Sequence, residues 1–424
     1  MQTPQTTDAY QQILREELVS ATGCTEPVAI ALAAAKTRQV LGDFPEYLQV
    51  ECSRNVYKNA RCVTVPNSGG LRGIEASAIL GLLAGREDRG LEVLSEVKTG
   101  HLAAARKLLA ANFCTVSLLV SETNLHLMVT AGKADHKVTV EIKHTHDHIS
   151  RIVQNGQTVF ERVDDPSGYD GVLTDRSVLS VDGILEYIQT CDLSHVQDIL
   201  ERQVVDNLAI AVEGLKNSYG VGIGKTLLRH AEPGIWSKVK AYTAAASEAR
   251  MSGCALPVIT NSGSGNQGLT ASVPVVVYAK ERGFPKEKLL RALLLSNLLT
   301  IHQKTGIGRL SAFCGAVSAA CAAGAAFAYL EAGSPEQIKN AMTNTFASIV
   351  GMVCDGAKPS CAAKIVVGLE AAILGFSLAM EDRVYEADTG ILKDEIEANI
   401  RSVSRLASLG MKATDAEILK IMFS

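Results

Sequence analysis

The cysteines carry the first spacings in this sequence suited to chemistry. Cys354 and Cys361 flank a loop whose Gly356 and Pro359 allow both sulfurs to turn toward one point. Cys314 and Cys321 lie seven residues apart in a run of small residues, two turns along one face if the run is a helix. Thiolates gathered in a reduced interior suit zinc or an iron–sulfur cluster, and three ligands would leave one iron open to substrate. The same spacing is equally that of buried structural thiols. Cys24 precedes Thr25-Glu26-Pro27, where a new helix is expected, so the helix dipole should favour its thiolate as nucleophile or base. Glu26 next door opposes that effect.

Two polar groups add to the set. Asn261, Ser262, Ser264, Asn266 and Gln267 alternate with Gly263, Gly265 and Gly268 just ahead of a helical run. Exposed backbone N–H groups at a helix start form a cradle for a small anion such as a carboxylate. His144, His146 and His148 would share one face of a strand, where they form either a zinc half-site or a solvated edge. The letters Gly263-Ser264-Gly265-Asn266-Gln267-Gly268 mimic a dinucleotide fingerprint, but Pro257 and Pro274 bracket them and no βαβ unit surrounds them. Gly222–Thr226 ends like a P-loop, yet the required first glycine position holds Tyr219.

The elements that must position these residues form an α+β chain. Residues 1–42 read as two helices, with Gly23 as the cap of the first, and are expected to pack on a C-terminal helical domain. Residues 43–165 alternate short β-rich runs (48–52, 62–65, 114–120, 125–130, 137–143) with helical stretches near 71–85 and 101–111. Asn155-Gly156 marks a hairpin, and the sheet is expected to be mostly antiparallel. The segment 164–174 reads as a linker. Residues 175–424 read as a helical, catalytic and cluster-binding domain: near 179–190, 195–216, 236–251, 268–281, 285–303, 309–331, 335–350, 361–380, 388–407 and 414–422. Leu310–Leu330 is uncharged and long enough for a bilayer, but its Ala, Gly and Ser supply little insertion energy, so a buried bundle helix is expected.

Composition narrows the class. The 424 residues hold 41 Lys+Arg against 45 Asp+Glu, which leaves no basic footprint for nucleic acid. Aromatics are only 5% whereas 35 residues are glycine, the makeup of a tightly packed interior. Ten cysteines without a visible signal peptide point to reduced thiols in the cytoplasm. The expected partner is a small molecule, with no membrane; homo-oligomerisation is left open.

Gly23-Cys24-Thr25-Glu26-Pro27, Asn261–Gly268 and Gly351-Met352-Val353-Cys354-Asp355-Gly356 together resemble the L-cysteine desulfidase family, which is related to the α chain of the iron–sulfur L-serine dehydratases. The resemblance implies a [4Fe–4S] cluster on Cys314, Cys354 and Cys361, with Cys314 preferred over Cys321 by its distance from the other two. It also implies that Cys24 is the catalytic base and that no pyridoxal phosphate is used. The implied reaction is β-elimination of cysteine to pyruvate, ammonia and hydrogen sulfide, with Asn261, Ser262, Gly263, Ser264, Gly265 and Asn266 holding the amino-acid substrate. Arg309 is a further candidate for the carboxylate or the cluster's charge. Serine dehydration is the alternative within this chemistry; a non-catalytic iron–sulfur redox sensor is the alternative outside it.

Overall fold

The computed structural model describes residues 4–162 and 173–423; most of the expected linker lies outside them. The chain enters through α1 (Pro4–Glu17), β1 (Ser20–Thr22) and α2 (Thr25–Leu41). A sheet unit follows: β2 (Tyr47–Cys52), α3 (Arg54–Ala60), α4 (Gly73–Ala84), α5 (Thr99–Ala110), β3 (Cys114–Leu118), β4 (His126–Lys133), β5 (His136–Lys143), β6 (Ile149–Gln154) and β7 (Gln157–Glu161).

The six-stranded sheet runs β3-β2-β4-β5-β6-β7, antiparallel except for the parallel β2–β3 pair. Val50, Val129, Val140 and Ile152 stand opposite one another across four strands, so period-2 alternation places one apolar row on a single face. Helices α2 and α4 cover that face. Their closeness needs small residues: a Cβ on Gly81 would lie 2.3 Å from the Ala31 carbonyl oxygen. The Asn155-Gly156 turn has positive φ at both positions, as a tight hairpin with this twist requires.

The helical unit comprises α6 (Val181–Thr190), α7 (Gln197–Lys216), α8 (Ile223–His230), α9 (Ile235–Met251), β8 (Pro257–Ile259), α10 (Gly265–Glu281), α11 (Lys286–Ile307), α12 (Gly315–Leu330), α13 (Pro335–Ile349), α14 (Cys361–Met380), α15 (Ile396–Arg405) and α16 (Lys412–Phe423). Helix α12 is its axis, buried on nearly every side and touched by α10, α11, α13 and α14. Alanine and glycine there let neighbours approach closely; Gly324 faces Ala372 of α14. Trp236, Tyr278, Phe327 and Phe376 fill the wider end as one aromatic cluster.

Several expectations are corrected. Only α1 joins the helical core, through Tyr10, Ile13, Leu14 and Leu18; α2 lies in the sheet unit's core instead. The first helix ends at Glu17, and Gly23, at φ 68°, turns the chain between β1 and α2 rather than capping α1. Residues 62–65 form no strand; Thr64 only bridges to Arg72. Leu310–Leu330 is not one helix, since α12 begins after Cys314 and has 16 residues. Among the described residues α14 alone is long and apolar enough for a bilayer span, and its Ile365–Leu369–Ala372–Phe376 face is packed in the bundle.

Candidate active site

Four helix starts converge on one cavity of about 90 Å³ between the two units. Cys24 is the N-cap of α2, Ser264 of α10 and Cys314 of α12, and Cys361 is the first residue of α14. Each helix start presents unpaired N–H groups and positive partial charge, so the cavity is built for anions.

Local pairing explains the convergence. β1 and β8 form a short antiparallel pair, Ser20 opposite Ile259, which carries Cys24 and the Asn261–Gly268 loop off the same end. Thr25 Oγ1 then donates to the Gly263 carbonyl at 3.0 Å. A second bridge joins Phe313 to Val353; Cys314 N–H donates to Met352 O at 2.9 Å and Cys354 N–H to Ala312 O at 2.6 Å. Gly356 has φ 98° and lies so near α3 that a Cβ would sit 2.5 Å from Lys58 O. Between them these contacts bring Cys314, Cys354 and Cys361 to the cavity that Cys24 also lines.

Cys24 is buried and its thiol donates to Glu26 Oε2 at 3.0 Å. Burial first, then the Glu26 charge, pushes this thiol well above its ordinary range, while Arg250 pulls the other way. The helix-start argument for a resting thiolate is thereby overturned, because desolvation outweighs the dipole. Burial also acts to raise the Glu26 carboxyl, but the charge and polar contact of His146, and then the Cys24 thiol, hold it down at about 2. Asn59 Nδ2 donates to Glu26 Oε1 at 2.8 Å, and His146 Nε2 stands 3.7 Å from the same oxygen.

The thiols of Cys314, Cys354 and Cys361 are free of disulfides and line the cavity together. Burial, then the neighbouring Cys354, raises Cys314 to about 12; burial also raises Cys361. Among the described residues no trio of His, Cys, Asp or Glu closes tightly enough around a single ion. Three soft donors ringing a cavity beside buried cations do fit a larger anionic group such as a [4Fe–4S] cluster. Lys304 supplies one such cation: its ammonium makes no hydrogen bond or ion pair with any described residue, and burial lowers it to about 8 despite Cys354 and Cys314 nearby.

The other sequence candidates divide. Gly263, Ser264 and Asn266 line the cavity, whereas Asn261 and Ser262 hold the loop from behind. Asn261 Nδ2 donates to Asn297 Oδ1 at 3.0 Å, and Ser262 Oγ donates to Asn261 Oδ1 at 2.9 Å. Gly265 opens α10 and packs on Arg250; a Cβ there would lie 2.1 Å from Arg250 Nε. Cys321 is fully buried away from the cavity beside Met342 O, so Cys314 and Cys321 do not act from one face. His144, His146 and His148 follow β5 in a turn, with His144 at φ 65°, and form no strand face. Arg309 lines the cavity while donating to Glu17 Oε1 at 2.8 Å. Sequence reading missed Asn59, Arg250 and Lys304. The available signal was a charge in an apolar helix: Arg250 ends alanine-rich α9, and Lys304 follows a leucine-rich stretch of α11.

A family model described as the serine dehydratase alpha chain matches residues 88–420. A UPF0597 protein of Treponema denticola is 45% identical over 420 residues, covering 98% of this chain and 97% of its own. One from Lachnoclostridium phytofermentans is 48% identical over 412 residues, covering 97% and 98%; one from Parabacteroides distasonis is 35% identical over 416. Matched over most of its length, the chain belongs to the serine dehydratase alpha chain family.

Proposed function

We propose that this protein is an iron–sulfur-dependent, pyridoxal-phosphate-independent lyase that eliminates sulfide from L-cysteine, giving pyruvate, ammonia and hydrogen sulfide. The observation that carries the reading is the meeting of Cys24 with Cys314, Cys354 and Cys361 around one anion-seeking cavity. A cluster held by the last three would supply Lewis-acid assistance to the departing group at its open iron. The N-terminus of α10, at Ser264 and Asn266, receives the substrate carboxylate, with Arg250 beneath it: Arg250 Nη1 donates to Asn266 Oδ1 at 3.1 Å. Cys24, at the start of α2 on the same cavity, would take the Cα proton as a thiolate. Ten unpaired cysteines support work in a reducing cytoplasm.

Serine dehydration is a second reading, favoured by the description of the matching family. Comparison of sulfide release from L-cysteine with pyruvate release from L-serine, after anaerobic reconstitution with iron and sulfide, separates the two. Cys354→Ala should lose the brown colour and the activity; colour and turnover in that variant would overturn the ligand set. Cys24→Ser should keep the colour and lose turnover, and full turnover would remove Cys24 as the base.

A further inference from the structure

Among the residues lining the cavity Glu26 is the only carboxylate, against three cations, Arg250, Lys304 and Arg309. It is 6% exposed, on the same wall as Cys24. Beside it, Asn59 gives its amide N–H to Glu26, which turns Oδ1 the other way; that oxygen is buried and has no hydrogen-bond partner. Gln267 Oε1, also at the cavity, is buried without a partner as well. An acceptor left unpaired in a buried site costs about 1–3 kcal/mol unless a ligand donates to it. The cavity therefore has two poles: a carboxylate and an unpaired amide oxygen at Glu26 and Asn59, next to the N–H groups of the α10 start, where Gln267 Oε1 is a further unpaired acceptor. The Thr25–Gly263 hydrogen bond ties the two poles together.

We propose that Glu26 and Asn59 hold the α-ammonium group of the substrate while the α10 start holds its carboxylate, making the site selective for α-amino acids. The inference rests on the lyase reading above and names the part of the substrate that reading left unassigned. The two poles adjoin, as they must for groups that share one carbon. An ammonium hydrogen-bonded to Glu26 lies about 2.8 Å from a carboxylate oxygen. The α-carbon is one bond further, and Cys24 Sγ is 3.0 Å from the same carboxylate. The anchor thus brings the α-carbon into the neighbourhood of the Cys24 sulfur. It also cancels the charge that, after burial, most strongly keeps Cys24 protonated, leaving Arg250 as the unopposed charge facing that thiol.

The test is calorimetric binding to the anaerobically prepared protein, with three unreactive probes: L-alanine, which has both poles, propionate, which lacks the ammonium, and ethylamine, which lacks the carboxylate. The wild-type protein should prefer L-alanine to either by about 10-fold or more, the scale of a desolvated charge pair. Glu26→Gln should bring alanine and propionate to within about 2-fold without weakening propionate, a selective loss that general loosening would not produce. Asn59→Ala keeps the carboxylate and should reduce the preference about 3-fold, so the inference stays testable if Glu26→Gln fails to fold. Equal wild-type binding of alanine and propionate, or an undiminished preference in both variants, overturns it. Preference for alanine without sulfide release from L-cysteine would instead sink the desulfidase reading and leave this one standing.

Discussion

Replacing Lys304 with methionine should make the metal-free chain more stable, not less. The ammonium is buried, makes no ion pair with any described residue, and is displaced from an ordinary 10.5 to about 8, chiefly by burial. That displacement corresponds to about 3 kcal/mol held against the folded state at neutral pH. Because the folded-state value is lowered, the cost is present in full below pH 8. It disappears as pH rises through 8 toward 10.5. Methionine fills nearly the same volume with no charge to desolvate. In denaturant titrations of the apoprotein at pH 7 under reducing conditions, Lys304→Met should therefore gain up to about 3 kcal/mol over the wild type. The gap should narrow between pH 8 and 9.5. Iron-loaded protein should reverse the order of merit, with the variant surrendering iron to a chelator faster, since an anion at the cysteines would have lost a buried counter-charge. A variant no more stable than wild type at pH 7, or a gap indifferent to pH, would refute the assignment of Lys304 as an uncompensated cation.

Other perturbations address the rest of the framework. Gly81→Ala would place a Cβ 2.3 Å from the Ala31 carbonyl oxygen, a backbone atom that cannot step aside; a loss of about 3 kcal/mol should appear as a lower melting temperature. Cys321→Ala removes a fully buried thiol remote from the cavity, so it should cost about 1 kcal/mol in denaturant titration yet leave iron content unchanged. Glu26, held at about 2 against an ordinary 4.5, contributes stability that is complete above pH 4.5 and is lost as pH falls toward 2. The stability difference between wild type and Glu26→Gln should shrink by about 3 kcal/mol across that window.

Legibility in the sequence followed periodicity. Helices α7, α9, α13 and α14 fall within a few residues of their expected bounds because long runs of helix-forming residues leave little competition. The hairpin at Asn155-Gly156 was legible for the same local reason. Short elements without such signals were not: α3 and α8 have seven and eight residues, and β1 and β8 exist as strands only because they pair with each other, Ser20 with Ile259 and Thr22 with Pro257, far apart in the chain. Type and spacing single out the cavity thiols without deciding between ligands and structural thiols, and the family resemblance prefers Cys314 to Cys321. Helix starts at Cys24 and Cys361 are expected, whereas the start of α12 at Cys314 and the roles of Arg250 and Lys304 depend on which face each helix buries. The three histidines show the limit most plainly. Alternation implied a strand, yet the chain leaves β5 at Lys143 and turns, sending His146 inward to Glu26.

That His146 contact indicates why the site needs both units. Glu26 comes from α2, Asn59 from α3 and His146 from the turn after β5, all in the sheet unit. The three thiols and Arg250 come from the helical unit. Across the junction, Lys58 of α3 is buried against Asp415 of α16, and Gly356 presses on the Lys58 carbonyl. Removing Lys58 would leave the Asp415 carboxylate without its counter-charge and loosen the loop between Cys354 and Cys361 at the same point. Like charges gathered at four helix starts also gain nothing from each other until an anion lies between them. Stability of the junction and affinity for an anionic ligand are thus two readings of one interface: whatever fills the cavity with negative charge should also clamp the sheet unit onto the bundle.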